Sequence, residues 1–169
     1  RWGCGQCDYC KEGRDNICSY RIEPGVYNGR GEFAHGGYAE FFKAPARHAY
    51  VFPDWMSYEE AACIPLTAAT AWHMLLNKAQ LGPGDTVLVL GASGGVGSMG
   101  VQVAKLMHGK VIATASNEDK ALRLKEFGAD EVIDYSEGDF APRVRELTNG
   151  EGADIVFDSV GSSVWEQAF

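Results

Sequence analysis

Four of the five cysteines lie in one short stretch near the start of the sequence. They are Cys4, Cys7, Cys10 and Cys18, so two successive C-x-x-C steps precede a fourth thiol. Four thiolates suit tetrahedral Zn²⁺, whose sulfur ligands lie about 2.3 Å from the metal. Because sulfur would fill every position, no coordination site would stay open to a substrate. The spacing therefore predicts a structural zinc centre, with disulfides, free thiols and an iron–sulfur cluster as the alternatives.

A run of glycines follows the apolar segment 86–90 and precedes a segment of helical character. Glycines at such a strand-to-helix turn let the backbone approach a pyrophosphate, and the helix N-terminus faces the anion. We therefore expect a dinucleotide here, with a tight turn that holds no ligand as the alternative. The residues expected to contact it are Gly91, Ser93, Gly94, Gly95, Val96 and Gly97.

The choice of dinucleotide depends on the end of the next predicted strand. NAD-binding domains usually place an Asp or Glu there to accept from the ribose hydroxyls. This sequence has Ala115-Ser116-Asn117 instead, with Lys120 close by. Without a carboxylate to repel a 2′-phosphate, Ser116 and Lys120 favour NADP(H) over NAD(H). Lys120 alone could equally be a solvated lysine on a helix surface.

The elements that must position these residues alternate regularly after residue 86. Strands are predicted at 86–90, 110–115, 131–134 and 154–158, and helices at 95–107, 117–128 and 140–148. A final helix begins near the end of the sequence. This β-α-β-α-β-α-β order predicts a Rossmann-type parallel sheet with helices on both faces and right-handed crossovers.

The first part of the sequence has a different character. Alternating apolar residues between glycines predict strands at about 38–42 and 48–52. Ser57 and Glu60 form a capping-box pattern, which predicts a helix start. We expect this helix to break near Pro65 and to resume over 67–79. Cys63, in an alanine-rich segment, is expected to be a buried thiol.

Composition excludes several classes of function. The chain has 169 residues, 46% of them apolar, and a formal net charge of −8. That charge opposes binding to nucleic acid and to anionic membrane surfaces. The longest mostly apolar segment, 64–76, is shorter than the roughly 20 residues of a membrane span. No targeting segment is visible, so we expect a cytoplasmic protein, of which this sequence is one part.

Together these motifs resemble the medium-chain dehydrogenase/reductase superfamily, the group of zinc alcohol dehydrogenases and quinone oxidoreductases. The likeness covers essentially the whole sequence: the four-cysteine lobe, the segment 36–40, the segment 61–72 and the glycine run. It implies that residues 1–68 are the C-terminal part of a GroES-like β domain with a zinc lobe over about 1–20. Residues 69–169 would be the N-terminal part of a Rossmann domain. Family members are about twice this length and usually form homodimers or homotetramers.

The sequence departs from the alcohol dehydrogenase pattern at one position. Zinc alcohol dehydrogenases supply a catalytic-zinc thiolate from the segment Ala-Ala-x-x-x-Cys, and Leu66 stands in that place. The glycine run itself is similar to that of the quinone reductases, in which a Lys and a Tyr hold the 2′-phosphate. Lys120 and Tyr135 match those positions. By the same resemblance, residues 67–70 and the turn 158–161, with Thr67 and Val160 among them, would line the nicotinamide side of the cleft.

These patterns predict an NAD(P)-dependent oxidoreductase that transfers a hydride between NADPH and a small carbonyl, quinone or activated alkene. One alternative is a zinc alcohol dehydrogenase whose third catalytic-zinc ligand has been replaced. Another, of a different class, is a non-catalytic scaffold that binds nucleotide or zinc. The sequence assigns no catalytic residue, and we expect residues 1–169 alone to be inactive.

Overall fold

The computed structural model of the protein describes residues 2–20 and 36–168, which fall into two compact units, Arg1–Pro53 and Asp54–Phe169. The expected domain boundary between residues 68 and 69 lies inside the second of these units. No helix in the described part of the chain is both long and apolar enough to cross a bilayer.

The first unit is built mainly from turns and short helices. Helix α1 spans Asp8–Lys11, and single 3₁₀ turns follow at Asp15–Ile17 and Ala46–His48. A small aromatic cluster supports them: Trp2 is buried, stacks on His48 at 6.1 Å between ring centroids and meets Phe42 edge-on at 6.5 Å. The described part of this unit therefore buries few apolar side chains, Trp2 and Cys18 among them.

The strands predicted at 38–42 and 48–52 are wrong as secondary-structure assignments. The backbone is bent over 37–40 and irregular over 49–53, and no described strand pairs with either segment. Tyr38, Phe41 and Tyr50 are largely exposed. The alternation of apolar residues thus has no buried face to pack within the described chain, and a strand needs paired neighbours to satisfy its backbone.

The second unit opens with helix α2, Tyr58–Trp72, which continues into a π-helical segment, His73–Lys78. The predicted capping box is confirmed: Ser57 Oγ accepts from the Glu60 amide, and Glu60 accepts from the Ser57 amide. The predicted break at Pro65 is wrong, because the helix runs through it. Proline removes one backbone hydrogen bond, and the helix stays continuous while it packs against the helix Gly95–Leu106.

Four parallel strands form the sheet, in the order β3-β2-β1-β4. Their bounds are Thr86–Leu90 for β1, Lys110–Ala115 for β2, Glu131–Asp134 for β3 and Ile155–Asp158 for β4. The helices are α3 at Gly95–Leu106, α4 at Glu118–Glu126, α5 at Ala141–Leu147 and α6 at Trp165–Ala168. The predicted alternation is confirmed, and β1 lies between β2 and β4, where the strand order reverses.

Apolar side chains cover both faces of this sheet. One face packs against α2, α3 and α4 through Val87, Val89, Val111, Ala113, Phe157, Leu75, Val101, Ala104 and Leu124. The other packs against α5 through Leu88, Leu90, Ile112, Ile133, Phe140 and Val144. Each fully buried aliphatic side chain contributes about 1.5–3 kcal/mol. The core therefore fixes the carboxyl ends of the strands, where the candidate site lies.

Candidate functional site

The glycine run forms a tight turn between β1 and α3. Gly91 has a φ of +65° directly after the last residue of β1, a conformation that favours glycine. Gly94 is the N-cap of α3, and the first helical hydrogen bond runs from the Ser98 amide to the Gly94 carbonyl. The amides of the first helical turn have no acceptor within the helix and can bind an anion.

Two glycines of α3 allow the helix to approach the sheet closely. A Cβ on Gly97 would lie 2.2 Å from the Gly91 carbonyl oxygen. A Cβ on Gly100 would lie 2.9 Å from the ring of Phe157. The sequence did not single out Gly100, although a glycine inside a helix, three residues after Gly97, indicates close packing. Both positions need hydrogen as the side chain for α3 to keep its place.

A cleft of about 400 Å³ opens at the carboxyl ends of the strands. It brings together three of the predicted site residues, Gly91, Tyr135 and Val160. Val160 Cγ2 lies 2.9 Å from where a Gly91 Cβ would be, and Thr67 Cγ2 lies 3.3 Å from where a Gly95 Cβ would be. Thr67 and Val160 thus lie directly beside the glycine turn.

Ser116 and Lys120 meet at the end of β2. Lys120 Nζ donates to Ser116 Oγ at 2.8 Å, and Asn117 caps α4 by accepting from the Lys120 amide at 3.0 Å. No carboxylate occupies the strand end itself. Ala115 pairs with Asp134 in the sheet. Ser116 follows Ala115 and Tyr135 follows Asp134, so the two residues leave adjacent strands at the same level. Neither Ser116 nor Lys120 is among the described residues that line the cleft.

Asp158, the last residue of β4, begins the turn 158–161, which the family resemblance places on the nicotinamide side of the cleft. Its carboxylate accepts from the amides of Val160, at 2.7 Å, and Gly161, at 3.1 Å, and from the indole N–H of Trp165, at 3.0 Å. Burial acts to raise the Asp158 pKa, but these donors outweigh it and the pKa lies below its ordinary value. The carboxylate therefore stays charged while holding the turn.

The four predicted metal ligands converge in the first unit. The Sγ atoms of Cys4, Cys7, Cys10 and Cys18 all lie within 4.8 Å of one another. Sulfurs about 2.3 Å from a tetrahedral zinc ion are about 3.8 Å apart, and Cys7 Sγ lies 3.7 Å from Cys18 Sγ. The cluster therefore has both the donor chemistry and the spacing that zinc requires.

Backbone amides surround these sulfurs. The amides of Gln6 and Cys7 each donate to Cys4 Sγ at 3.4 Å. These two bonds lower the pKa of the Cys4 thiol to about 6. Desolvation raises the pKa of Cys10 to about 12. A metal bound at neutral pH would displace the Cys10 proton, as coordination deprotonates thiols outright.

Glycines shape the loops that carry the cysteines. Gly5 and Gly13 adopt φ values of +74° and +75°, so the chain turns tightly at both positions between the cysteines. Gly3 is the tighter position, since a Cβ there would lie 2.7 Å from Cys10 Sγ and 2.8 Å from Asp15 Cβ. The lobe thus depends on the absence of a side chain at residue 3.

Helix α2 presents Leu66 to solvent, with 77% of the side chain exposed. The expectation that Cys63 is buried is wrong, because it too is exposed. The buried residue of α2 is Ala71, later in the helix. An alanine-rich sequence around Cys63 therefore does not mean that Cys63 is buried. Cys63 and Leu66 are three residues apart and share one face of the helix.

Two family models match the chain. The model described as "Alcohol dehydrogenase GroES-like domain" matches residues 1–54, and that described as "Zinc-binding dehydrogenase" matches residues 95–169. The chain is 34% identical over 166 residues to an alcohol dehydrogenase of Schizosaccharomyces pombe, which covers 98% of this chain and 45% of that protein. It is 37% identical over 131 residues to a quinone oxidoreductase of Pseudomonas aeruginosa, and the match covers 78% of this chain and 40% of that protein. The chain thus spans less than half the length of these curated relatives.

Solved structures agree with this assignment. An NAD-dependent alcohol dehydrogenase superposes with a TM-score of 0.89 at 43% identity, over 98% of this chain and 47% of that one. The Escherichia coli quinone oxidoreductase complexed with NADPH superposes with a TM-score of 0.64 at 35% identity, over 70% of this chain and 36% of that one. On its two family models, its relatives and its fold, the chain belongs to the medium-chain dehydrogenase/reductase superfamily.

Proposed function

We propose that this chain supplies the dinucleotide site and a structural zinc lobe of an NAD(P)-dependent oxidoreductase. The reaction is hydride transfer between NADPH, the preferred cofactor, and a small carbonyl, quinone or activated alkene. The observation that carries the proposal is the glycine turn, in which Gly97 packs against the Gly91 carbonyl with no room for a Cβ. This turn lies where the strand order reverses, the place at which open α/β sheets bind their ligands.

The residues of the turn bind and orient the cofactor. The amides of Gly95, Val96 and Gly97 open α3 and would hold the pyrophosphate, with Gly91, Ser93 and Gly94 forming the approach. Thr67 and Val160 flank the turn on the side of the nicotinamide. When bound, the nicotinamide supplies the hydride, and these residues keep it fixed beside the substrate cleft.

The preference for NADPH rests on Ser116, Lys120 and Tyr135. Lys120 Nζ and Ser116 Oγ already lie 2.8 Å apart, so both could turn to one phosphate. Tyr135 is about half exposed at the end of β3 and can offer its hydroxyl from the neighbouring strand. No carboxylate at the end of β2 opposes a second negative charge there.

The zinc ion of the proposal is held by Cys4, Cys7, Cys10 and Cys18. Four thiolates leave no open position, so the metal stabilises the lobe and takes no part in the reaction. The first unit needs such support because few of its described side chains are buried. Thiols kept for a metal imply a reducing compartment, so the proposal includes a cytoplasmic location.

Leu66 favours hydride transfer without a catalytic metal at this position, since leucine has no atom that could bind zinc. The chain's residues would then act on an already electrophilic substrate by orientation and hydrogen bonding. The proposal also includes a small-molecule substrate, no nucleic acid or membrane partner, and a homodimer or homotetramer.

A second candidate is a zinc alcohol dehydrogenase with a replaced ligand. The superposition of nearly the whole chain on an NAD-dependent alcohol dehydrogenase favours it. A non-catalytic scaffold is the third candidate, and the tight packing of the glycine turn argues against it, because a scaffold does not need a backbone that admits a pyrophosphate.

The test is NADPH oxidation by the full-length protein, rather than by residues 1–169 alone, with a quinone, an enone and an aldehyde in separate assays. Turnover with the quinone or the enone supports the proposal. Turnover restricted to the aldehyde, together with two zinc ions per chain, supports the alcohol dehydrogenase. Inactivity with all three, by a protein that binds NADPH, would establish the scaffold instead.

A further inference from the structure

We infer that Asp158 is a positioning residue that holds one wall of the dinucleotide cleft by fixing the backbone of Val160. The inference rests on the proposed function and deepens it, because it assigns a role to a carboxylate that lies outside the glycine turn itself. It is carried by three donors, the amides of Val160 and Gly161 and the indole of Trp165, that converge on one carboxylate.

The sheet places Asp158 opposite the glycine turn. Asp158 pairs with Leu90, so β1 and β4 end at the same level and the chain leaves both strands side by side. The segment after Leu90 is the glycine turn, and the segment after Asp158 is the turn 158–161. The two turns therefore face each other across the point where the strand order reverses.

Two kinds of contact hold the turn 158–161 in place. From within, Asp158 Oδ1 accepts from the amides of Val160 at 2.7 Å and Gly161 at 3.1 Å, and Gly161 has a φ of +93° that favours glycine. From across the cleft, Ser159 Oγ donates to the Leu90 carbonyl at 3.2 Å. The carboxylate thus sets the shape of the turn, and Ser159 sets its distance from β1.

The result is a defined position for the Val160 side chain. Its Cγ2 lies in the space that a Cβ on Gly91 would need, and Val160 lines the cleft together with Gly91 and Tyr135. About half of Val160 is exposed, so packing alone does not fix it. The backbone bonds to Asp158 do so instead.

The other oxygen of Asp158 links the turn to the next helix. Oδ2 accepts from the Trp165 indole N–H at 3.0 Å. Trp165 is the first residue of α6, so the carboxylate ties the entry of that helix to the cleft wall. Charge-assisted bonds of this kind are about twice as strong as neutral ones, and an amide in place of the carboxylate would turn a donor towards the indole.

The inference predicts a split between the two halves of the cofactor. The adenosine half lies towards β2, where Ser116 and Lys120 stand, and the nicotinamide half lies towards β4. Loss of Asp158 should therefore weaken binding of NADPH and leave binding of adenosine 2′,5′-bisphosphate unchanged. General damage to the fold would weaken both.

The experiment measures the Kd of both ligands by calorimetry for the intact protein and three variants. Asp158→Ala removes every bond, Asp158→Asn keeps one oxygen acceptor, and Asp154→Ala is the matched control. Asp154 Oδ2 accepts from the Thr86 amide at 2.7 Å at the opposite end of β4, away from the cleft. Melting temperatures of all proteins report the loss of stability.

We expect Asp158→Ala to raise the Kd for NADPH about tenfold or more, with Asp158→Asn between it and the unchanged protein. Binding of the bisphosphate should stay within about twofold, and Asp154→Ala should lower the melting temperature without changing either Kd. Parallel weakening of both ligands, or equal effects of the two alanine variants on NADPH, would overturn the inference alone. Failure of the unchanged protein to bind NADPH would overturn the proposed function, and this inference with it.

Discussion

Gly97 and Gly91 form the tightest contact of the candidate cofactor site: a methyl group on Gly97 would lie 2.2 Å from the Gly91 carbonyl oxygen. Real Cβ atoms do not approach backbone oxygen so closely, and neither partner is a flexible side chain. The two residues therefore lock the start of α3 onto the end of β1. That contact fixes the position of the first turn of α3, whose amides have no acceptor within the helix.

The first prediction follows from this contact. Gly97→Ala should push α3 away from β1, lower the stability by about 1–3 kcal/mol, as overpacked cores do, and weaken dinucleotide binding. Gly82→Ala is the control, because a Cβ at residue 82 would meet only Asp85 Oδ2, at an ordinary 3.6 Å. Urea denaturation and NADPH titration measure both effects. Wild-type affinity and stability for Gly97→Ala would show that the turn can relax.

Lys120 should discriminate between the two dinucleotides. Lys120→Ala should weaken NADPH binding about tenfold, the lower range for a charged hydrogen bond at an exposed site, and leave NADH binding unchanged. Lys125→Ala is the control, because it removes the same charge from the last turn of the same helix. Lys125 Nζ lies 3.8 Å from Glu131 Oε2, and its loss should change the affinity for neither NADPH nor NADH. Equal loss of NADPH and NADH affinity for Lys120→Ala would contradict a 2′-phosphate site.

Gly3 should control metal retention. Gly3→Ala would place a methyl group 2.7 Å from Cys10 Sγ, so we expect the variant to lose zinc at chelator concentrations that the unchanged protein withstands. Gly37→Ala, in the same unit with no atom of the described residues within 4 Å of the added Cβ, should retain its metal. Elemental analysis after dialysis makes the comparison. Full zinc retention by Gly3→Ala would mean that the lobe accommodates the methyl group elsewhere.

Asp130 should make the stability of the second unit sensitive to acid. Its carboxylate accepts from the Val111 amide at 2.6 Å and from Lys105 Nζ at 2.9 Å. Burial acts to raise the Asp130 pKa, but the Val111 amide and Lys105 outweigh it and hold the pKa below its ordinary value. A carboxylate with a depressed folded-state pKa stabilises above its unfolded pKa, about 3.9, and this stabilisation is lost as the pH falls through the folded-state value.

Asp130→Asn should therefore lower the free energy of unfolding by about 1 kcal/mol at neutral pH, the size of one partly exposed charged hydrogen bond. The loss should become smaller as the solution is acidified below about pH 4. Asp54→Asn, at an exposed turn, is the control. Urea denaturation across this pH range measures the difference between the two. A destabilisation by Asp130→Asn that is the same at every pH would contradict the role of its charge.

Local sequence patterns were sufficient for the parallel sheet. The capping box at Ser57 depends on residues within one helical turn and forms as predicted, and Asn117 caps α4 through an equally local contact. The spacing of the four cysteines is likewise visible in the sequence, and their sulfur atoms lie close together in the structure. Short-range chemistry of this kind needs no knowledge of the rest of the fold.

Features that depend on distant partners were not predictable in the same way. The alternation at 38–42 resembles a strand, but a strand requires a neighbour that the pattern does not specify. Pro65 signals a break, yet the packing of residues further along α2 keeps the helix intact. Asp158 gains its role from a turn and a tryptophan that only the folded chain brings to it.

The central claim is that the turn between Gly91 and Gly97 binds a nicotinamide dinucleotide. The most direct measurement is a calorimetric titration of the intact, zinc-loaded protein with NADPH and, separately, with NADH. We predict saturable binding of one NADPH per chain, with NADH bound more weakly because it lacks the 2′-phosphate. No binding of either dinucleotide by the folded protein would contradict the account.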